Sequence, residues 1–163
     1  MTNEILEILQ KDARRTPEEI AAMLGRRPAA VRREIGRLEK EGVLLKYRAV
    51  VNREALPAAA RGVRALIEVQ TAPQKDVGFD RIAERIYLFP EVQSCYLLSG
   101  GYDLLLVVEG VDIQGIASFV AQKLAPMEHV RGTVTHFLLK KYKEDGDVLV
   151  GSIRKDRRLA VTP

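Results

Sequence analysis

Hydrophobic and polar residues follow a helical period in the first third of this chain and a strand-like period beyond it. The clearest helical stretch lies between Gly25 and Gly42, and its apolar positions are Val31, Ile35 and Leu38. At about 100° per residue these side chains share one face. The opposite face is basic and smooth, and it carries Ala29, Arg33, Gly36, Arg37 and Lys40. Such a helix suits the phosphate-lined major groove of DNA, although a solvated amphipathic helix has the same pattern.

The apolar pattern predicts two shorter helices before the basic one. The first spans roughly residues 3–12, with an inward face made of Ile5, Ile8 and Leu9. The second begins at a capping box, in which Thr16 and Glu19 each accept from the other's amide, and Pro17 occupies its first turn. Gly25 ends this helix, and we expect its inward residues to be Ile20, Met23 and Leu24. A capped short helix, a Gly-containing turn and a basic amphipathic helix together predict a helix-turn-helix.

The two ends of the basic helix differ in how well their residues suit a helix cap. Arg27 stands at the N-cap position, where Ser, Thr or Asp is usual. An arginine cannot accept from the helix amides but can reach a phosphate; a tolerated poor cap is the alternative. Gly42 is a favoured residue for a left-handed cap at the other end. Residues 43–51 are then expected to be extended, as a short wing or as a link.

A change of period after residue 62 predicts a second domain. Residues 52–62 contain Pro57 and an alanine run that can continue as a helical turn, and we interpret them as a linker. Alternation predicts a strand at 63–70. Further strands are predicted at 92–99, which is extended, at 102–109, which is the most apolar, and at 130–139. Helical spacing predicts one helix from Phe79, stopped by Pro90, and one capped by Asp112, stopped by Pro126. This β-α-β-β-α-β order is the ferredoxin-like split βαβ arrangement, so the predicted fold class is α+β.

Two details of the second domain can be predicted more closely. Gly100 and Gly101 form a two-residue hairpin turn, because glycines take the positive φ that tight hairpins need. The inward face of the second helix is expected to hold Ile113, Ile116, Ala117, Val120 and Leu124. Both helices would cover one face of the sheet. The other face is also rich in Leu and Val, so we expect a homodimer through these sheets.

The tail, residues 141–163, has a KYKEDG turn, a short apolar run at 148–150 and a basic run at 154–158. An extra edge strand, a swap to a neighbour and a loose tail all remain open. The expected domains are therefore a helix-turn-helix at 1–51, a linker at 52–62, a ferredoxin-like domain at 63–140 and this tail.

Charge is distributed unevenly along the 163 residues. Residues 1–62 contain 13 Lys and Arg against 9 Asp and Glu, which gives +4, whereas the other 101 residues contain 13 of each. A basic module joined to a neutral one suggests an anion-binding head on a separate body. The first residues, MTNEILEILQKDARR, lack a cationic leader, so we expect no signal peptide and a cytoplasmic location.

Residues with catalytic or metal-binding chemistry are few and scattered. Cys95 is the single cysteine, which excludes an internal disulfide and a cysteine-rich zinc site, and we expect it to be half-buried on a strand. His129 and His136 are isolated. The sequence has no Gly-rich phosphate loop, paired-carboxylate motif or metal-ligand cluster, so we expect neither a metal nor a cofactor.

The first domain resembles the Lrp/AsnC (feast/famine) family of prokaryotic transcription regulators. The matching runs are LQKDAR at 9–14, IAAMLG at 20–25, VRREI at 31–35, LEKEGVL at 38–44 and YRAVV at 47–51. The second domain resembles the regulatory (RAM) domain of that family, through FPEV at 89–92, SGGYDL at 99–104, Leu124 and TVT at 133–135. The Gly-x-Asp run of the central hairpin is the family's marker.

This resemblance implies a DNA-binding regulator that responds to an amino acid. We expect Arg32, Arg33 and Arg37 to contact phosphate or guanine, with Ala29 on the same face, and Arg26 and Arg27 to approach the backbone. In the family, amino acids bind in clefts between dimers of a larger ring, often an octamer. The residues expected to border that cleft are Ser99, Gly100, Gly101, Tyr102, Asp103, Thr133 and Thr135. Glycine amides can approach a carboxylate, Asp103 can pair with an ammonium, and the threonines can complete the hydrogen bonds.

Three alternatives stay open at this point. Gly-Gly can serve the hairpin alone, with Asp103 bonding the turn. The second domain would then bind no ligand and only assemble rings. The two-domain fold also resembles that of siroheme decarboxylases, enzymes that would need imidazole and cationic groups around a tetrapyrrole. The segment 87–101 contains no His or Arg, and the arginine-rich helix favours DNA.

Overall fold

The protein consists of two compact units that join between Val51 and Asn52. A computed structural model describes residues 1–72 and 78–150. We call residues 1–51 the head and the part from Asn52 onward the body. In these two ranges no helix is long and apolar enough to cross a membrane.

The head contains three helices, α1 (Thr2–Lys11), α2 (Pro17–Leu24) and α3 (Pro28–Lys40). Their buried side chains form one cluster, made of Ile5, Leu9, Ile20, Ala21, Val31 and Ile35. The predicted helix-turn-helix is confirmed. The prediction that Met23 points inward is wrong, since Met23 is 54% exposed. The inward stripe of α2 runs from Ile20 through Leu24 to Ala21, which lie at about 0°, 40° and 100° around the helix. Met23 lies at about −60°, beyond the edge of this stripe.

The start of α2 has the predicted capping box. The Glu19 N–H donates to Thr16 Oγ1 at 3.2 Å, and the Thr16 N–H donates to a Glu19 carboxylate oxygen at 2.8 Å. Gly25 then ends the helix in the left-handed conformation, with φ of 62°. Only a residue without a Cβ takes this conformation at little cost.

Residues 43–51 are a link and not a wing. None of them pairs as a strand. Instead, the N–H groups of Val43 and Leu44 donate to the Leu38 carbonyl at the end of α3, and the Tyr47 hydroxyl donates to Glu39 at 2.9 Å. The chain then enters a 3₁₀ turn at Arg53–Ala55 and the one-turn helix α4 (Ala58–Arg61).

The body is a four-stranded sheet with two helices. Its elements are β1 (Val63–Thr71), α5 (Phe79–Tyr87), β2 (Val92–Leu97), β3 (Leu104–Gly110), α6 (Ile113–Phe119) and β4 (Val130–Phe137). The spatial order is β2-β3-β1-β4, and all neighbouring strands are antiparallel. β1 and β2 are therefore parallel with β3 between them, which confirms the ferredoxin-like arrangement.

Both helices pack on the same face of the sheet. The core consists of Ala65, Ile67, Val69, Ile82, Ile86, Leu104, Leu106, Val108, Ile116, Phe119 and Leu124. The predicted inward face of α6 is partly wrong, because Ile113 is 57% exposed and Ala117 is exposed, whereas Phe119 is buried. A π-helical turn at Val120–Leu124 follows α6. This wider turn brings Phe119 and Leu124, five residues apart, to the same side.

The predicted Gly100-Gly101 turn is also wrong. β2 and β3 do form a hairpin, but Leu97 pairs with Leu104, so the connection is residues 98–103. Neither glycine has a positive φ. The loop is longer because Asp103 is held elsewhere: its N–H donates to the Val69 carbonyl at 3.0 Å, and its own carbonyl accepts from Leu98 at 2.8 Å.

The face of the sheet opposite the helices carries the remaining alternate side chains. Leu66, Leu105 and Val107 are half-buried there, and Tyr96 and Val134 are exposed. After β4, β5 (Lys143–Glu144) and β6 (Asp147–Val148) form a separate two-stranded hairpin. Up to residue 150 the tail thus adds no strand to the main sheet. The basic run at 154–158 lies outside the described residues.

Candidate DNA-binding surface and effector site

The basic helix α3 has one buried and one exposed face. Val31, Ile35 and Leu38 are buried, as predicted. The predicted front, made of Ala29, Arg33, Gly36, Arg37 and Lys40, is exposed throughout. A Cβ added at Gly36 would meet no atom within 4 Å. Because Ala29 has a short side chain and Gly36 has none, the helix backbone is accessible on this face.

The N-terminal end of α3 has no side-chain cap and is flanked by arginines. Arg27 is the N-cap and provides no side-chain acceptor for the helix amides. Pro28 follows at the first helical position. Orphan amides and the helix dipole make such an end attractive to phosphate. Arg26 and Arg27 are both exposed beside it.

The arginines predicted to contact DNA differ in their internal partners. Within residues 1–72 and 78–150, no carboxylate lies within 4.0 Å of Arg26, Arg27 or Arg33. Arg32 donates to Glu18 of α2 through Nε, at 3.1 Å, and through Nη2.

Arg37 is the most engaged of these arginines. Its Nε and Nη2 donate to the two oxygens of Glu34 at 3.0 and 2.7 Å, and its Nη1 donates to Glu41. The hydrogen bonds from Arg37, followed by one from Thr2, lower the pKa of Glu34 to about 2. The same contacts with Glu34 and Glu41 raise the pKa of Arg37. Arg37 is therefore exposed but occupied within the head.

The residues expected to border an effector cleft lie in the 98–103 loop and on β4, on opposite sides of β1. Ser99, Gly100 and Gly101 are exposed in the 98–103 loop, and Tyr102 and Asp103 are partly buried. On the other side of β1, Val69 pairs with Thr133 and Ile67 pairs with Thr135. The Asp103 N–H donates to the carbonyl of the same Val69, so the loop and Thr133 lie on either side of this β1 residue. Thr135 lies two residues further along β4.

Asp103 is already bound within the body. One of its oxygens, Oδ2, accepts from the Thr71 N–H at 2.7 Å and from Thr71 Oγ1 at 3.0 Å. Thr71 is 8% exposed, so this contact fixes the loop against β1. The sequence suggested that Asp103 accepts hydrogen bonds within its own turn. In the structure its side chain accepts them from β1, the neighbouring strand.

Sequence reasoning missed Gln70 and Thr71. Gln70 Nε2 donates to the Gly101 carbonyl at 3.2 Å, and its Oε1 lies near Gly132 at the start of β4. Gln70 thereby ties the loop to β1. A signal existed for Thr71, because it continues the alternation of Ala65, Ile67 and Val69.

The cysteine and the two histidines lie on strands or next to one. Cys95 is half-buried on β2, as predicted, and burial raises its pKa. His136 lies on β4 with Nε2 3.1 Å from Glu68. His129 precedes β4 with a φ of 71°.

Comparison with known proteins matches both units. A family model described as the Lrp/AsnC ligand binding domain matches residues 64–148, and one described as winged helix-turn-helix DNA-binding matches residues 2–44. The uncharacterized HTH-type transcriptional regulator YugG of Bacillus subtilis is 44% identical over 160 residues, which are 98% of this chain and 95% of that protein.

More distant relatives have similar names. The leucine-responsive regulatory protein of Haemophilus influenzae is 27% identical over 86% of this chain and 83% of its own. The crystal structure of transcriptional regulator NMB0573 from Neisseria meningitidis, a complex with L-Met, has a TM-score of 0.70 at 29% identity, covering 88% of this chain and 90% of that one. All three are named as regulators and none as an enzyme. With both domains matched in this order, the chain belongs to the Lrp/AsnC family of transcriptional regulators.

Proposed function

We propose that this protein regulates transcription by binding specific DNA sequences through the N-terminal half of α3. The observation that carries the proposal is the exposed, cationic end of this helix, where Arg26, Arg27 and Arg33 have no carboxylate partner in the described residues. In helix-turn-helix proteins, the N-terminal residues of the second helix contact base edges. Arg26 and Arg27 would contact the backbone, and Arg33, beside the small Ala29, would enter the groove.

Arg32 and Arg37 are weaker candidates for phosphate contacts, because both already pair with carboxylates. Their ion pairs are on the surface, where such pairs contribute about 0–1 kcal/mol, so a phosphate can compete with the carboxylates. Arg37 has three nitrogens engaged and would give up the most internal bonds. We therefore rank Arg37 last among the predicted DNA contacts.

The protein would act as a homodimer or a larger oligomer, such as an octamer. Support comes from the open face of the sheet, where Leu66, Tyr96, Leu105, Val107 and Val134 lie between β2 and β4, interrupted by Glu68 on β1. Burial against a second copy would remove these apolar side chains from water. A two-fold dimer presents two copies of α3 to half-sites about 34–36 Å apart on pseudo-palindromic DNA.

The body would bind an amino acid at the 98–103 loop. Thr71 uses only Oδ2 of Asp103, which leaves the second oxygen for an ammonium group, and the exposed amides of Gly100 and Gly101 are available to a carboxylate. A relative of known structure was solved with L-Met. In a thermal-shift assay a ligand at 100 times its Kd stabilises by about 2.7 kcal/mol, whereas a body that only assembles copies responds to no amino acid.

The DNA proposal is tested by binding at several salt concentrations. Each cation that meets a phosphate makes the slope of log K against log salt steeper by about 0.9. Arg33→Ala should therefore weaken binding and flatten the slope by about that amount. Arg14→Ala is the matched control, because Arg14 is 91% exposed in the α1–α2 turn and pairs with Asp12. A wild-type slope near zero would contradict the proposal.

A further inference from the structure

The arginines of α3 differ in which edge of the guanidinium they use internally. Arg37 donates to carboxylates through all three nitrogens. Arg32 donates only through Nε and Nη2, both to the same oxygen of Glu18. In the described part of the chain, no carboxylate lies on Arg32 Nη1. The end of the Arg32 guanidinium therefore still presents two parallel N–H groups.

This remaining edge matches a base. Two parallel N–H donors of an arginine fit the O6 and N7 acceptors of guanine in the major groove. A free arginine must be immobilised when it makes that contact, which weakens binding. An arginine already held along its other edge has given up that freedom before DNA arrives.

Glu18 is placed to provide that support. It lies in the first turn of α2, 14 residues before Arg32, so the contact joins the two helices of the helix-turn-helix. Both side chains are exposed, at 60% for Arg32 and 51% for Glu18. The pair can thus remain formed while Arg32 contacts DNA.

We propose that Glu18 is a positioning residue that holds Arg32 along its Nε–Nη2 edge and aims its free edge at a guanine. Glu18 then determines specificity without touching DNA. This inference rests on the proposed DNA-binding function. It goes beyond that function by assigning direct base readout to Arg32 and an indirect role to an acidic residue.

The test uses the full-length protein and two duplexes. One is the sequence recovered by selection from a randomised duplex library, and the other is its scrambled version. Glu18→Ala should weaken binding to the selected duplex by about two- to tenfold, the effect of one side chain losing its preorganisation. Binding to the scrambled duplex should stay the same or become slightly tighter, because a negative charge has been removed.

The matched control is Glu7→Ala. Glu7 is exposed on α1 and forms no ion pair in residues 1–72 and 78–150. Glu7→Ala removes one negative charge from the head, as Glu18→Ala does, so it should change the affinity for both duplexes equally. Thermal unfolding of each variant shows whether the head still folds, and Glu18→Gln, which keeps an acceptor oxygen, should show an intermediate loss.

A double-mutant cycle separates this role from a structural one. In an Arg32→Ala background, Glu18→Ala should change the affinity for the selected duplex no more than Glu7→Ala does. Equal effects of Glu18→Ala and Glu7→Ala on both duplexes, or an undiminished loss in the Arg32→Ala background, would overturn the inference. A selection that enriches no sequence, or a wild-type protein that binds the selected and scrambled duplexes equally, would instead refute the proposed function.

Discussion

Most ion pairs of the head join exposed side chains, with Glu34 as the clearest exception at 12% exposure, whereas the Arg64 pairs of the body join partly buried ones. In the head, the side chains of Arg32 and Glu18 are 60% and 51% exposed. In the body, those of Arg64 and Glu109 are 20% and 25% exposed. Exposed pairs contribute about 0–1 kcal/mol, while a buried donor left without its acceptor costs about 1–3 kcal/mol. Substitutions at the exposed ion pairs of the head should therefore change binding more than stability, and substitutions at the partly buried polar contacts of the body should change stability.

Arg64 shows how the body uses its buried charges. It lies on β1 and donates to Glu109 on β3 and to Glu144 in the C-terminal hairpin. Burial acts to lower the pKa of Arg64, but the hydrogen bonds with both carboxylates outweigh it, and the pKa is raised. Asn52 Nδ2 also donates to the Leu149 carbonyl at 3.1 Å. These bonds fasten the tail, up to residue 149, to the body.

The largest effect should come from the contact between Asp103 and Thr71 in the body. Asp103→Ala removes the acceptor for a nearly buried N–H and hydroxyl, so the free energy of unfolding should fall by about 1–3 kcal/mol. Urea unfolding followed by tyrosine fluorescence measures it, because four of the five tyrosines belong to the body.

Two variants calibrate that result. Asp103→Asn keeps one acceptor oxygen and should lose less stability. Ser99→Ala changes an exposed residue of the same loop and should remain within about 0.5 kcal/mol of wild type. A loss at Ser99 as large as that at Asp103 would mean that the loop is sensitive throughout, and the contrast with the head would fail.

The elements that the sequence predicted well are those with local signals. The capping box, Gly25 and the apolar spacing of α3 each lie within a few residues of what they determine. The order of strands and helices in the body follows from the change of period. The Lrp/AsnC resemblance added the expected site residues, which the fold alone does not provide.

The errors have tertiary causes. The turn at Gly100 was mispredicted because Asp103 bonds Val69 and Thr71, some 30 residues earlier in the chain. The inward face of α6 was mispredicted because the helix buries Ile116 and Phe119 against the sheet, which leaves Ile113 and Ala117 on the exposed side. The contact that holds Arg32 depends on Glu18, on another helix, whereas Arg37 is held locally by Glu34 and Glu41, three and four residues away. No periodicity encodes the contacts between elements.

A smaller effect on stability is expected when the N-cap of α2 is removed and an N-cap is added to α3. Thr16→Ala removes a cap and should destabilise the head by about 1 kcal/mol, while Arg27→Ser supplies one to α3 and should stabilise it by about 0.5–1 kcal/mol. Arg27→Ser should at the same time weaken DNA binding and flatten its salt slope by about 0.9. Protection of α1–α3 amides from hydrogen exchange reports the stability.

This pair of variants tests whether the head gives up stability for binding. The result expected from the comparison is opposite signs in Arg27→Ser, with a more stable head and weaker binding. If Arg27→Ser left DNA affinity and its salt slope unchanged, Arg27 would be a poor cap and nothing more. Thr16→Ala, away from α3, should alter stability alone.

The smallest effect should be the acid sensitivity of Glu34 in the head. Its pKa is lowered to about 2 by Arg37, with a second contribution from Thr2. A carboxyl with a lower pKa in the folded state stabilises above the unfolded value, near 4.5, and loses this contribution as pH falls towards 2. The partner side chain, Arg37, is 45% exposed, so solvent screens the pair and the change should be small.

The difference in melting temperature between wild type and Glu34→Gln isolates this group from the other carboxyls. Far-UV circular dichroism between about pH 5 and pH 2 should show the difference shrinking as pH falls through the window between about 4.5 and 2. Glu7→Gln, which breaks no ion pair of the described head, provides the baseline. A difference that stayed constant across this window would show that the Arg37 contacts contribute nothing to folding, and Arg37 would then be as available to DNA as Arg33.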